Sequence, residues 1–177
     1  ERCCRDRSRP FFLAVGFFRP HTPYVAPKDP YFGWYPESAM PIVPNIKQDQ
    51  EDLPAAALGS YKKEQDKLTD TLRREALQAY YASISFMDAQ VGHVVDALDV
   101  NGLAENTIIL FTADNGTGVG ITSRWQGQDI KGGKGGPTDM GNHVPFVAYW
   151  KGQTPNGAAL DDLIDFTDFY ATLADAA

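Results

Sequence analysis

The feature of this sequence that most constrains its fold is the apolar run from Thr107 to Thr112, which stops at the polar peptide Asp114-Asn115-Gly116. A continuous run of apolar and β-branched residues is typical of a strand that is covered on both faces. In α/β proteins, ligand-binding residues commonly follow the carboxyl ends of such strands. We therefore predict a buried strand whose end presents Asp114 and Asn115.

Four other segments complete the predicted architecture. Residues 11–16 and 145–150 are predicted as strands, and the first of them is expected to be buried on both faces. Between residues 71 and 100 the apolar positions recur at three- and four-residue steps, which predicts a long amphipathic helix that ends at Asn101-Gly102. A last helix is predicted to begin at Asp165-Phe-Thr-Asp168, where acidic side chains suit the helix dipole. This order of helices and strands predicts an α/β sheet with crossover connections.

Two connecting segments have unusual compositions. Residues 24–58 contain many prolines and no sustained periodicity, so we expect a long surface excursion of functional or mobile character. Loops on a rigid sheet commonly determine specificity, and we expect this excursion to do so. Residues 113–141 are glycine-rich and are predicted as a loop, and the charged patch at 62–67 is predicted to be solvated.

Composition limits the class of protein. A chain of 177 residues with 43% hydrophobic content predicts a sizeable single core in one globular domain or a large piece of one. The net charge of -7 argues against nucleic acid as the main partner, because phosphate binding needs a concentrated basic surface. The most apolar segment, 11–18, is far shorter than the roughly 20 residues of a membrane helix. Cys3 and Cys4 are adjacent in an arginine-rich leader, 1–9, and imply no long-range disulfide.

Asp114 and Asn115 are the first candidate ligands. Their carboxylate and amide oxygens suit Ca²⁺ or Mg²⁺, which prefer oxygen donors. A simple turn is the alternative, because Asp, Asn and Gly are strong turn residues and Asn-Gly favours hairpins. Calcium takes about six or more ligands, so a site at this position needs donors from elsewhere.

His21 is the candidate histidine. It follows the first predicted strand and lies between Pro20 and Pro23, which restrict the backbone and would hold the imidazole in one orientation. The alternative is an ordinary packed or solvated loop residue. His93 lies off the apolar stripe of the long helix and is assigned to solvent, whereas His143 stays ambiguous.

Lys134 is the candidate cation, in the peptide Gly132-Gly133-Lys134-Gly135-Gly136. Glycines allow backbone to approach a ligand closely, and a lysine among them can act as a point charge on an oxyanion. The peptide is not a phosphate-binding P-loop, because Gly135 stands where that motif requires Ser or Thr. The alternative is a flexible loop with a solvated lysine.

In order and spacing, these motifs resemble the sulfatase family from Pro10 onward. The first half is similar to the iduronate-2-sulfatase-like branch, and the later motifs are similar to the arylsulfatase pattern. The peptides that carry the resemblance are Phe11-Phe-Leu-Ala-Val-Gly, Pro20-His21-Thr22-Pro23, Tyr81-Ala-Ser-Ile-Ser-Phe-Met-Asp88-Ala-Gln-Val-Gly92, Phe111-Thr-Ala-Asp114-Asn115-Gly116 and Gly132-Gly133-Lys134-Gly135.

The resemblance implies an alkaline-phosphatase-like α/β sandwich with a mostly parallel central sheet, of which residues 10–177 would form part. It implies that Asp114 and Asn115 bind Ca²⁺ rather than Mg²⁺, and that His21 and Lys134 contact the sulfate ester and assist departure of the alcohol oxygen. The implied substrate is a sulfated small molecule or carbohydrate, and the implied location is periplasmic or extracellular.

The sequence also departs from the family pattern. Sulfatases use a formylglycine made from a Cys/Ser-x-Pro-Ser/Ala-Arg motif, which this sequence lacks, and Cys3-Cys4-Arg5-Asp6-Arg7 does not fit it. A pair of aspartates that completes the family's calcium site would also lie upstream. We therefore expect a catalytic domain truncated upstream and downstream, inactive as a fragment. The alternatives are a phosphoester or phosphonate hydrolase of the same superfold, or a non-catalytic remnant or binding protein.

Overall fold

The computed structural model of the chain describes residues 7–42, 48, 51, 63–119 and 121–176. Cys3, Cys4 and much of the second half of the proline-rich excursion lie outside this part. The α-helices bounded within it are α1 (Asp70–Val100), α2 (Asp139–Asn142) and α3 (Phe166–Ala176). The strands are β1 (Ile108–Thr112), β2 (Thr122–Trp125), β3 (Gln128–Lys131) and β4 (Phe146–Trp150). Short 3-10 helices span Phe32–Trp34, Glu37–Ala39, Lys63–Lys67 and Ala104–Asn106.

Helix α1 confirms the amphipathic pattern. Thr69 caps its start, since the Thr69 hydroxyl oxygen accepts a hydrogen bond from the Leu72 amide at 3.3 Å. At its other end the Asn101 side-chain amide donates to the Ala97 carbonyl at 2.7 Å. Gly102 follows with a φ of +62°, a conformation that favours glycine. The predicted stop at Asn101-Gly102 is therefore confirmed, together with the physical reason for it.

The described strands form two separate two-stranded sheets. Strand β1 pairs with β4, with Ile108 opposite Trp150 and Thr112 opposite Phe146. Both ladders are antiparallel, so these strands do not confirm a mostly parallel sheet with crossover connections. Local sequence patterns identify strands but do not record the path of the chain between them, and that path determines strand direction.

Strands β2 and β3 form a hairpin within the segment predicted as a glycine-rich loop. Gln126 and Gly127 connect them with φ angles of 50° and 79°. Positive φ at both central residues is the requirement of a type I′ turn, whose twist suits a two-residue hairpin. The loop prediction for 113–141 is therefore wrong over 122–131.

Residues 11–16, predicted as a buried strand, form no strand. Phe12 is 81% exposed and Leu13 and Val15 are also exposed. A strand needs a hydrogen-bonded neighbour and cover on its faces, and the described strands pair only as β1 with β4 and β2 with β3. Hydrophobicity alone could not supply either requirement.

The first half of the proline-rich excursion packs on helix α1. The Tyr35 hydroxyl lies 2.6 Å from the Ser85 hydroxyl, and the Gln78 side-chain amide donates to the Phe32 carbonyl at 3.2 Å. Aromatic contacts extend the interface through the ring pairs Tyr24–Tyr80, Tyr31–Phe86 and Tyr35–Tyr81, with centroids 5.2–5.5 Å apart. Residues 24–42 thus form a surface layer that packs on α1, and its contacts are ones that the lack of periodicity in this segment did not predict.

Few side chains are fully enclosed. Among the described residues, the buried apolar ones are Met40 and Ala82, and Ser83 is buried beside them. Two-stranded ladders and one long helix do not form layers deep enough to cover many side chains. The sizeable core predicted from composition is therefore wrong for the described residues. No helix in the described part of the chain has the length and apolar character to cross a membrane.

Lys151 joins the end of β4 to the end of α1. Its ammonium nitrogen lies 2.9 Å from Glu105 Oε1 and 3.2 Å from Asp99 Oδ1. Hydrogen bonds to Glu105 and then to Asp99 raise the pKa of Lys151 above its usual value. The Trp150 indole also donates to the Glu105 carbonyl at 3.2 Å. These contacts fix the start of the β1–β4 ladder, whose other end leads to the candidate site.

Candidate functional site

The end of β1 presents the predicted pair of oxygen ligands. Strand β1 is half-buried rather than fully buried and ends at Thr112. Beyond it, Asp114 is exposed and Asn115 is partly buried. The chain bends at residues 114–115, as the simple-turn alternative expects, but Asn115-Gly116 does not close a hairpin, because β1 pairs with the distant β4. The Gly116 amide instead donates to the Gly141 carbonyl of α2 at 2.8 Å.

The structure connects Lys134 to the same chain segment. The Lys134 amide donates to the Thr117 carbonyl at 2.8 Å, two residues beyond Asn115. The neighbouring Gly133 amide donates to the Met140 carbonyl of α2 at 3.0 Å. The Lys134 side chain is exposed. Backbone hydrogen bonds therefore bring together the segments that carry Asp114, Asn115 and Lys134.

We call the meeting point of residues 116–118, 132–136 and helix α2 the glycine joint. An added Cβ would lie less than 3.0 Å from a neighbouring atom at four of its glycines, Gly116, Gly132, Gly133 and Gly141. The atom is a backbone atom at Gly116, Gly132 and Gly141, and at Gly133 it is the Met140 Cβ. Ordinary Cβ atoms do not come this close, so only glycine allows the segments to approach as they do. Sequence reasoning noted that the region is rich in glycine but missed which glycines make contact and the role of α2.

His21 has a separate set of contacts. The exposed ring has Nδ1 2.8 Å from the Thr22 carbonyl oxygen, and its centroid is 5.0 Å from that of Phe18. Because a carbonyl can only accept, Nδ1 carries the proton, and Nε2 is the nitrogen left to exchange one with a ligand. All hydrogen bonds and ring contacts of His21 within the described residues are made to positions 18–22. The structure thus connects the segment that follows Asp114 and Asn115 with the segment that carries Lys134, and leaves His21 in a locally held turn.

The other histidines have simpler settings. His93 is exposed on α1, which confirms its assignment to solvent. His143 is also exposed, and its amide donates to the Asp139 carbonyl at 2.7 Å, closing the end of α2. His143 therefore contributes its backbone next to the glycine joint.

Asp114 and Asn115 suit a calcium ion by the chemistry of their donors, because carboxylate and amide oxygens are the ligands that calcium takes. Within the described residues, no group of three or more His, Cys, Asp or Glu side chains could hold a metal ion. The pair thus offers two oxygen donors, whereas calcium takes about six or more.

The chain matches the sulfatase family over residues 4–177. It belongs to the sulfatase family. Membership assigns the alkaline-phosphatase-like α/β fold to the chain. The order of motifs that first suggested this family therefore gave the correct assignment.

Curated relatives agree with this membership. The chain is 32% identical to mouse iduronate 2-sulfatase over 97% of its own length and 32% of that of the relative. It is 31% identical to an arylsulfatase of Clostridium perfringens over 98% of its length and 35% of that protein. It is 25% identical to an endo-4-O-sulfatase of Bacteroides thetaiotaomicron over 90% of its length and 27% of that protein. The chain thus spans about a third of the length of the relatives that it matches.

Proposed function

We propose that the whole protein hydrolyses a sulfate ester, and that its substrate is a sulfated carbohydrate. The observation that carries the proposal is the glycine joint, in which the segment that follows Asp114 and Asn115 is hydrogen-bonded to the segment that carries Lys134. Family membership supports the reaction, and relatives named iduronate 2-sulfatase and endo-4-O-sulfatase support a carbohydrate substrate. An acidic chain of net charge -7 needs such local positive charge to receive an anion.

Asp114 and Asn115 are proposed to hold Ca²⁺, with Mg²⁺ as the less suitable ion. Calcium bound there would offset negative charge on the sulfate oxygens. Lys134 adds a compact positive charge to the same group, because its backbone is hydrogen-bonded to the segment that follows Asn115. These residues thus bind and orient the sulfate rather than exchange protons with it.

His21 is proposed to assist the leaving alcohol oxygen. The Thr22 carbonyl holds the proton on Nδ1, so a protonated ring donates from Nε2. A proton supplied to a leaving oxygen typically contributes a factor of about 10² to 10⁴ to a rate. This role requires the segment at 18–22 to lie beside the glycine joint in the whole protein.

The nucleophile is proposed to be a formylglycine contributed by a part of the whole protein other than this chain. The chain contains no Cys/Ser-x-Pro-Ser/Ala-Arg motif, so we expect no turnover from it alone. Residues 10–177 are proposed as part of a catalytic domain with a mostly parallel central sheet. A periplasmic or extracellular location, where sulfated carbohydrates are met, is part of the same proposal.

The test compares the whole protein on matched aryl sulfate and aryl phosphate esters with calcium present. We expect a higher kcat/KM for the sulfate. A higher value for the phosphate would favour a phosphoester or phosphonate hydrolase, because a metal ion and a lysine suit any tetrahedral oxyanion. Tight binding of a sulfated sugar without turnover of either ester would favour a non-catalytic binding protein.

A further inference from the structure

We infer that Gly132 is a positioning residue that sets the spacing between Lys134 and the Asp114-Asn115 pair. The inference rests on the proposed function, since the spacing matters only if both parts act on one ligand. No part of the reaction passes through Gly132 itself. Its role follows from the contacts that its missing side chain permits.

The first support is steric. A Cβ at Gly132 would collide with the carbonyl groups of Thr117 and Gly118, which are backbone atoms and cannot rotate away as a side chain can. An added methyl group would therefore push residues 132–134 away from residues 117–118. Because Lys134 lies two positions further along, its ammonium group would move with that backbone.

The second support is the pattern of hydrogen bonds. One link, from the Lys134 amide to the Thr117 carbonyl at 2.8 Å, crosses the contact that Gly132 makes possible. Another, from the Gly116 amide to the Gly141 carbonyl at 2.8 Å, holds the Asp114-Asn115 side of the joint to α2. A methyl group added at Gly132 would strain the hydrogen bond from Lys134 to Thr117 and leave the hydrogen bond from Gly116 to Gly141 in place. We therefore expect displacement of Lys134 with little displacement of the oxygen ligands.

A chemical consequence follows from this asymmetry. Displacing a charged group by about 1 Å from its place beside a reacting centre can reduce the rate about a hundredfold. Calcium binding by Asp114 and Asn115 should be largely unaffected, because the neighbouring hydrogen bond from Gly116 to Gly141 remains. The two effects can be measured separately in the same variant.

A graded series of alanine variants in the whole protein tests the inference. Gly132→Ala introduces a severe contact, Gly136→Ala a mild one at 3.1 Å from the Gly133 carbonyl, and Gly92→Ala in α1 none within 4 Å. On an aryl sulfate we expect kcat to fall about a hundredfold for Gly132→Ala, severalfold for Gly136→Ala and not at all for Gly92→Ala. The calcium concentration for half-maximal rate should stay within about twofold of the unsubstituted value in all three.

Repeating the series with Lys134→Ala distinguishes positioning from general damage. If Gly132 acts through Lys134, the glycine substitutions cause little further loss once the lysine is gone. Equal losses in both backgrounds, or normal turnover by a folded Gly132→Ala variant, would overturn the inference. If Gly132→Ala does not fold, the loss of turnover caused by Gly136→Ala is compared with and without Lys134→Ala, and the same two outcomes apply. An unsubstituted protein that turns over no sulfate ester would overturn the proposed function as well, whereas the outcomes above leave that function intact.

Discussion

The two regions that carry the candidate residues are built in different ways. Around Asp114 and Lys134, backbone hydrogen bonds and close glycine contacts connect residues 116–118 with residues 132–136 and helix α2. Around His21, the contacts are local, and the ring is held by Thr22 and Phe18. The first region therefore has its geometry fixed by the chain itself. The second has only its local orientation fixed.

This difference separates two kinds of catalytic contribution. Binding charge on a sulfate group requires several groups at fixed mutual distances, a role that we propose for the glycine joint. Proton transfer requires one correctly placed nitrogen, a role that we propose for His21, whose Nδ1 lies 2.8 Å from the Thr22 carbonyl oxygen. We expect the first region to control sulfate binding and the second to control the departure of the alcohol.

The largest effect is expected from Lys134→Ala in the whole protein. Loss of a charge that stabilises a developing oxyanion should lower kcat/KM for an aryl sulfate by about 10² to 10³. The matched control is Lys131→Ala, because Lys131 is an exposed lysine in β3 of the same segment. Equal losses for both variants would mean that net charge, rather than the glycine joint, is responsible.

His21→Ala should give the next largest effect, and its size should depend on the alcohol. We expect a loss of about a hundredfold for esters of weakly acidic alcohols and a smaller loss for nitrophenyl esters, whose leaving oxygen needs little protonation. His93→Ala, on the exposed face of α1, serves as the control. A loss independent of the leaving group would contradict the role assigned to Nε2.

Asp114→Asn should alter calcium dependence more than maximal rate. Removing one carboxylate ligand should raise the calcium concentration for half-maximal activity by roughly ten- to a hundredfold, since affinity follows the charge of the ligands. Asp96→Asn on the exposed face of α1 controls for the change in net charge. An unchanged calcium requirement would remove Asp114 from the metal site.

The smallest effect is expected outside both regions, at Asp165. Asp165 Oδ1 accepts a hydrogen bond from the Thr167 amide at 2.9 Å and another from the Thr167 hydroxyl at 2.8 Å. Both bonds lower the pKa of Asp165 below its usual value, and the bond from the amide has the larger effect. A carboxylate whose pKa is lower in the folded state than in the unfolded state stabilises the fold at pH values above its unfolded pKa. This stabilisation is lost as the pH falls through the folded-state pKa.

Asp165→Ala should therefore lower the melting temperature slightly near neutral pH, with turnover unchanged. The difference from the unsubstituted protein should disappear in strong acid. Asp162→Ala, at an exposed position that precedes α3, is the matched control. A loss of activity comparable to that of the site variants would mean that those variants also act through stability.

Local pattern predicted the elements whose formation depends on local features. The periodicity of residues 71–100, the stop at Asn101-Gly102 and the acidic start of α3 were each sufficient to place a helix, because these signals lie within the helix or next to it. The Asp165 amide also donates to Asp168 Oδ2 at 2.8 Å, which completes the reciprocal cap at that start.

The features that sequence reasoning missed depend on distant partners. Residues 11–16 are as apolar as a buried strand but pair with no strand in the part of the chain that the structure describes. The antiparallel direction of β1 and β4 depends on the path between them. Gly127 indicates the hairpin turn at Gln126-Gly127, but the many glycines around it prevented its identification from the sequence. Motif order suggested the candidate residues, whereas the backbone hydrogen bonds between residues 116–117 and the segments of Lys134 and α2 depend on the fold.

The central claim is that Asp114 and Lys134 act together on one sulfate group. A double-mutant cycle in the whole protein, with Asp114→Asn, Lys134→Ala and both changes, measures this through kcat/KM for an aryl sulfate at fixed calcium. Groups that act as a unit are strongly non-additive, so the double variant should lose much less than the product of the two single losses. Losses that multiply independently would contradict the claim.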